Sequence, residues 1–212
     1  MRRAVIDPER PSADVIAEAA AIIAVGGVVA MPTDTLYGLA VDPTSAAALA
    51  RLFAVKGRSA DRAVALVAAD VAQVVEYFGE LPSAARRLAV KYWPGPLTML
   101  LRRPSSMPGE LTAGTDRVGV RVPAHVVTRE LCRASHRPLT ATSANISGQP
   151  ASDDPNHIAR VFASGDVDML LDAGKTPGGP PSTVVAVVDD DLRLIRSGSI
   201  AWDEVQACVR QQ

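Results

Sequence analysis

The side chains of this protein best suited to chemistry are cations and small hydroxyls. In FAVKGRSADRAV, Lys56, Arg58 and Arg62 gather around Gly57 just past a helical stretch. Such a cluster suits a polyphosphate or a carboxylate, with Arg offering a bidentate fork and Lys a compact charge. The plainer reading is a helix C-terminus whose dipole is complemented by basic residues. In TDRVGVRVP, Val118, Val120 and Val122 share one face of a strand, so Arg117 and Arg121 share the other with Gly119 between them. That face suits an anion, or is the polar side of a half-buried sheet. PLTATSANISGQPAS ends a short strand in Thr142, Ser143, Asn145, Ser147 and Gly148. These residues can turn main-chain N–H groups and hydroxyls toward phosphate oxygens, or form an ordinary Asx/Ser turn. In MPTDTLYGLAVDP an apolar strand breaks into a turn carrying Thr33, Asp34, Thr35 and Tyr37, at the strand end where α/β sheets tend to bind ligands. A capped turn with a packed Tyr is the alternative. GGPPSTVV adds Ser182 and Thr183, and LIRSGSI adds Arg196.

Other chemistries find no footing. GxxxxGK[ST], GxSxG and a GxGxxG after a strand are all absent, and His125, His136 and His157 lack metal-ligand spacing. The few aromatics form no stripe for stacking bases. The polar equipment therefore describes a pocket for a nucleotide and a small polar acid.

Those residues need elements to place them. Apolar periodicity predicts helices from Ser12 to about Val25, from Thr44 or Ser45 to about Val55, from Asp70 to about Phe78, and from Pro82-Ser83 to about Trp93. Further helices are expected near 124–134, 155–163 and 200–209. Strands are expected at 28–31, 64–68, 97–102, 118–122, 138–142, 167–171, 183–188 and 192–196. The Pro/Gly-rich run from Thr176 to Pro181 reads as a loop within one domain spanning 1–212, because too few residues follow it for a second core.

The chain has 212 residues, 48% of them hydrophobic, which supplies an ample α/β core. With 22 Lys plus Arg against 23 Asp plus Glu, it lacks the basic excess of a dedicated nucleic-acid binder, although a local basic pocket remains open. The uncharged stretch from Ala19 to Thr33 contains Gly26, Gly27 and Pro32 and falls short of the ~20 apolar residues of a spanning helix, so no membrane association is expected. The start, MRRAVIDPER, has no apolar core for a secretory signal. Cys132 and Cys208 have no CxxC spacing, which fits a reducing cytoplasm.

Taken together, PTDTLYGL, KGR, WPGPLTMLL, VGVRVP, the TSAN block, PSTVV and LIRSGSI resemble, in order and spacing, the YrdC-like family of L-threonylcarbamoyladenylate synthases. The resemblance runs from about residue 10 to 205 and implies a twisted mixed α/β sheet flanked by helices, with a concave, positively lined face. It also implies an activity: L-threonine, bicarbonate (or CO2) and ATP, with Mg²⁺, become threonylcarbamoyl-AMP and pyrophosphate. The product serves N6-threonylcarbamoyladenosine formation at position 37 of tRNA through a separate transferase complex. By position, Thr35, Arg121, Ser182 and the main chain at Ala141 resemble the threonine subsite. Lys56 and Arg58 resemble the paired cations of a K-x-R element with a catalytic role, and Ser143 with Asn145 an S-x-N element, all on the ATP side. Arg62, Arg117, Ala151, Ser152 and Arg196 align with further nucleotide contacts, and no protein metal ligand is implied. The chain departs from the family at Ser59, Ala63 and Val64, where many members carry Pro, Pro and Leu. It departs again at Val67, where some carry His, and at Arg117, where Thr is common. The 212 residues match the family's short form. The competing expectation is a YciO-type paralogue that binds nucleotide or structured RNA, weakly and with salt dependence, without making the adenylate. A carbamoyl-transfer module of the hydrogenase-maturation kind would bring zinc-finger and acylphosphatase regions, and nothing here resembles either.

Overall fold

The computed structural model describes residues 1–57, 62–188 and 191–210. Four strands lead into or flank the first turn: β1 (Arg2–Val5), β2 (Val29–Met31), β3 (Gly38–Ala40) and, after helix α2 (Ala46–Lys56), β4 (Leu66–Val67). Helix α1 (Ala13–Ala24) stands between β1 and β2. Helices α3 (Val71–Phe78) and α4 (Ser83–Tyr92) precede β5 (Leu97–Arg102) and β6 (Arg117–Arg121), and α5 (Val126–Ala134) leads to β7 (Leu139–Thr140) and β8 (Thr142–Ser143). The chain closes with α6 (Pro155–Val161), β9 (Met169–Asp172), β10 (Thr183–Val188), β11 (Asp191–Arg196) and α7 (Trp202–Arg210).

Local chemistry accounts for the helix limits. Ser45 and Asp70 cap α2 and α3 by accepting from Ala48 N and Gln73 N, as Asp154 caps α6 at Asn156 N. Gly57 ends α2 in the left-handed region at φ 60°, a conformation that costs a glycine nothing. Two short strands lie outside the sequence expectation. β1 carries two arginines and buries only Ala4, so it shows no apolar alternation, and it forms only by pairing in parallel with β9. β3 has no β-branched residue and forms as the return arm of a hairpin with β2.

The strands form two mixed sheets, in the orders β1-β9-β2-β3-β8 and β11-β10-β5-β6-β4-β7. A core cluster joins them, with Ala30, Leu39 and Leu170 from the first sheet meeting Leu66, Met99, Val120 and Val185 from the second. A second cluster buries Ile16, Ala19 and Ile23 of α1 against Leu131 and Cys132 of α5 and against Met31, Met169 and Leu171. The chain changes sheet at Ala141, between β7 and β8, where Ala141 N donates to Ala65 O at 2.8 Å. The Thr176–Pro181 run is a loop, as expected, and folds back on the first turn: Gly178 N and Thr176 Oγ1 both donate to Thr35 O, at 2.9 and 2.7 Å.

Candidate functional site

A cleft of about 380 Å³ opens between the two sheets. Its walls come from segments far apart in sequence, including the β2–β3 turn, residues 63–67, β5, β6, the β7–β8 crossing, Ser182 and Arg196.

The β2–β3 turn is held rigidly. Thr33 Oγ1 donates to Leu36 O at 2.7 Å and lies 3.2 Å from Thr35 Oγ1, while Tyr37 N donates to Ser152 O at 3.1 Å. Tyr37 is wholly buried; its hydroxyl donates to Gly174 O at 2.7 Å and accepts from Ala173 N at 3.2 Å. Burial pushes that phenol well above its ordinary value, so Tyr37 is an anchor rather than an acid.

Two guanidinium groups face the cleft. Arg121 is 7% exposed, with Nη1 lying 2.9 Å from Asp34 Oδ1. Desolvation draws its pKa down, Asp34 opposes that shift, and the like charge of Arg196 adds to it. Arg196 Nη2 donates to Ser182 O at 2.9 Å and to Ser182 Oγ at 3.2 Å, and the Ser182 hydroxyl lies 2.8 Å from Thr98 Oγ1. Burial lowers the Arg196 pKa as well. Both groups remain charged at neutral pH, since a guanidinium is not deprotonated in proteins. The cleft therefore offers two positive charges, one buried at Arg121 and one at its more open side at Arg196, flanked by the hydroxyls of Thr35, Thr98 and Ser182, an arrangement that receives anions.

Lys56 behaves differently from a cleft cation. It is 2% exposed, and its ammonium donates to Ser143 O, to Asn145 O at 3.0 Å and to Asn145 Oδ1 at 3.3 Å. Ser143 Oγ donates to Asn145 Oδ1, Asn145 Nδ2 donates to Gln149 O at 2.6 Å, and Ser147 N returns a bond to Lys56 O at 2.8 Å. The end of α2 and the SAN loop are thus stitched together around one ammonium.

Of the residues expected from sequence, Thr35, Arg121, Ala141, Ser143, Ser182 and Arg196 line the cleft. Lys56 and Asn145 sit behind its lip. Arg117 is outside the lining, its Nη1 donating to Val187 O at 3.3 Å opposite Arg102. Ala151 and Ser152 are also outside: the Ser152 carbonyl pins Tyr37, and its hydroxyl accepts from Asp154 N. Arg62 is exposed beside Ala63, which does line the cleft. Arg58 and Ser59 lie outside the described residues. Val67 is a buried part of the wall, so the position where some family members carry His presents an apolar surface here. Thr98 was missed as a site residue, although a lone hydroxyl in PLTMLL at the parity of Leu100 was a usable signal. Asp34 stands in the sequence reading as one of four polar side chains at a ligand-binding strand end, with no role of its own and no partner named.

Residues 21–198 match the family model described as telomere recombination, that of the Sua5, YciO and YrdC proteins. The chain belongs to that family. Among its Sua5/YciO/YrdC relatives, the threonylcarbamoyl-AMP synthase of Pyrococcus abyssi is 37% identical over 191 residues, covering 90% of this chain and 56% of that protein. The threonylcarbamoyl-AMP synthase of Bacillus subtilis is 35% identical over 195 residues, covering 92% and 56%. The chain spans little more than half the length of these two curated relatives. The crystal structure of P. abyssi Sua5 complexed with L-threonine superposes with a TM-score of 0.90 at 36% identity, over 98% of this chain and 61% of that one.

Proposed function

We propose that this Sua5/YciO/YrdC protein is a threonylcarbamoyl-AMP synthase. The observation that carries the reading is a pair of guanidinium groups, the buried Arg121 and the more exposed Arg196, in one cleft with the hydroxyls of Thr35 and Ser182, beside a SAN loop clasped by Lys56. The relatives named as synthases support it. In this reading the threonine carboxylate pairs with Arg121, and Thr35, Ser182 and the main chain at Ala141 complete the amino-acid subsite. Ser143, Asn145, Lys56, Arg58 and Arg196 serve the ATP side.

The reaction joins anions that repel one another. Threonine condenses with bicarbonate or CO2 to a carbamate, whose oxygen attacks the α-phosphorus of ATP while pyrophosphate leaves. No protein nucleophile is needed; fixed positive charge and positioning supply the catalysis. The donors facing the cleft are cations and hydroxyls, and among the described residues no carboxylate side chain is in its lining. Mg²⁺ therefore belongs to the nucleotide substrate, held by phosphate oxygens and water. The product would pass to a transferase that modifies tRNA, in the cytoplasm where a buried free thiol such as Cys132 stays reduced. Among the described residues no helix is long and apolar enough to cross a membrane.

The test is pyrophosphate release from Mg–ATP by the purified protein. Release should require both L-threonine and bicarbonate and should fall when L-serine replaces threonine. ATP binding with no release under any combination would replace this reading with that of the non-synthase paralogue.

A further inference from the structure

We propose that Asp34 is the positioning residue of the carboxylate subsite, holding Arg121 by one terminal nitrogen so that the rest of its fork faces the cleft. The inference rests on the synthase reading, in which Arg121 receives the carboxylate of threonine.

The argument begins with the alternation of the turn. Thr33 and Thr35 line the cleft, and Asp34 between them does not. Its side chain instead turns away and is only 11% exposed, with Oδ1 placed 2.9 Å from Arg121 Nη1. Asp34 is the one acidic side chain paired with Arg121 among the described residues, and Arg196 repels the same guanidinium from across the cleft. A buried guanidinium with no counter-charge is strongly disfavoured, so without Asp34 the side chain of Arg121 would leave its seat for water.

The pair is also incomplete. Asp34 Oδ1 and Oδ2 and Arg121 Nη1 are all shielded from solvent, yet the contact lacks the alignment of a hydrogen bond. It is an ion contact, which fixes where the charge sits and leaves Nε and Nη2 unspent. Among the described residues none accepts from those two nitrogens. An arginine tethered at one corner with its remaining donors toward a cleft is arranged for a ligand carboxylate. The tether does not repel that ligand at close range, because the guanidinium stands between the two carboxylates. A base or metal-ligand role for Asp34 is disfavoured by the same placement, since its oxygens are shut off from the cleft.

The experiment is calorimetric binding of L-threonine, of L-threonine methyl ester and of ATP to the full chain and to Asp34→Asn, which keeps shape and removes charge. The unaltered protein should prefer threonine over its ester. In the variant, threonine should weaken by about tenfold, corresponding to one charge-assisted contact, while the ester and ATP shift by less than about twofold, so that the preference collapses. Unchanged or tighter threonine binding overturns the proposal, as does a parallel loss for all three ligands, which would mark Asp34 as a general structural support. If the unaltered protein itself does not prefer threonine over the ester, the carboxylate assignment of Arg121 fails, and the role of Asp34 falls with it. Should Asp34→Asn not fold, Asp34→Ser is read in the same way.

Discussion

At the scale of single residues, the K-x-R lysine is the instructive case. Its position just past a helix marks it as a candidate for phosphate, and nothing in the local sequence says which way its side chain turns. That is decided by the SAN loop, nearly ninety residues later, whose carbonyls take up its protons. Lys56→Met would leave Ser143 O, Asn145 O and Asn145 Oδ1 without their charged donor. We expect a loss of about 3 kcal/mol or more in urea unfolding together with weakened ATP use, and near-normal stability would show that the clasp is dispensable. Arg121 and Ser182 could be singled out because strand parity and small-residue context are local properties. The pairing of Arg121 with Asp34 could not, since it joins a hairpin turn to a strand of the other sheet.

At the scale of elements, strongly periodic helices were readable almost to the residue. The expected starts at Ser12 and Asp70 are the observed cap positions of α1 and α3, and of the two alternatives Thr44 and Ser45 it is Ser45 that caps α2. The expected strand at 138–142 is instead two strands that break at Ala141, because the chain leaves one sheet for the other there. No periodicity within five residues can announce that. The register of β5 against β6 has its own consequence at Gly119, where a Cβ would come within 3.0 Å of Thr98 Cγ2 and 3.6 Å of Ala65 Cβ. Gly119 therefore seats the Thr98 methyl on the cleft floor, which turns Thr98 Oγ1 toward Ser182. Gly119→Ala should cost about 1 to 3 kcal/mol through overpacking and should raise the threonine requirement more than the ATP requirement, as steady-state kinetics would measure. Equal effects on both substrates would detach Thr98 from the threonine side.

At the scale of the whole molecule, ionisation of buried groups sets a limit on alkaline stability. Burial pushes the Cys132 thiol from 9.0 up to about 12, and raises Tyr37 above its ordinary 10.0. Both are neutral when folded, while the unfolded chain ionises at the ordinary values. Their contribution is complete below about pH 8 and is lost as pH rises toward the folded values. Between about pH 8 and 10.5 the Cys132 share of that loss is about 2 kcal/mol, visible as a falling urea midpoint. Cys132→Ala should flatten the first part of the fall, and an unchanged slope would assign it to other groups. The family resemblance implies a twisted mixed sheet flanked by helices, and the division of the strands into two sheets was not readable from periodicity, since facing sheets leave no signature within one strand. The dispersion of the cleft walls along the chain also bears on synthesis. Thr35 leaves the ribosome early, Arg121 and Ser143 midway, and Arg196 only with the last strand, so a growing chain cannot capture its ligands until β11 has emerged and docked on β10. Ligands therefore cannot act as templates for early folding of this protein. They can only select, after the fact, chains that have already closed.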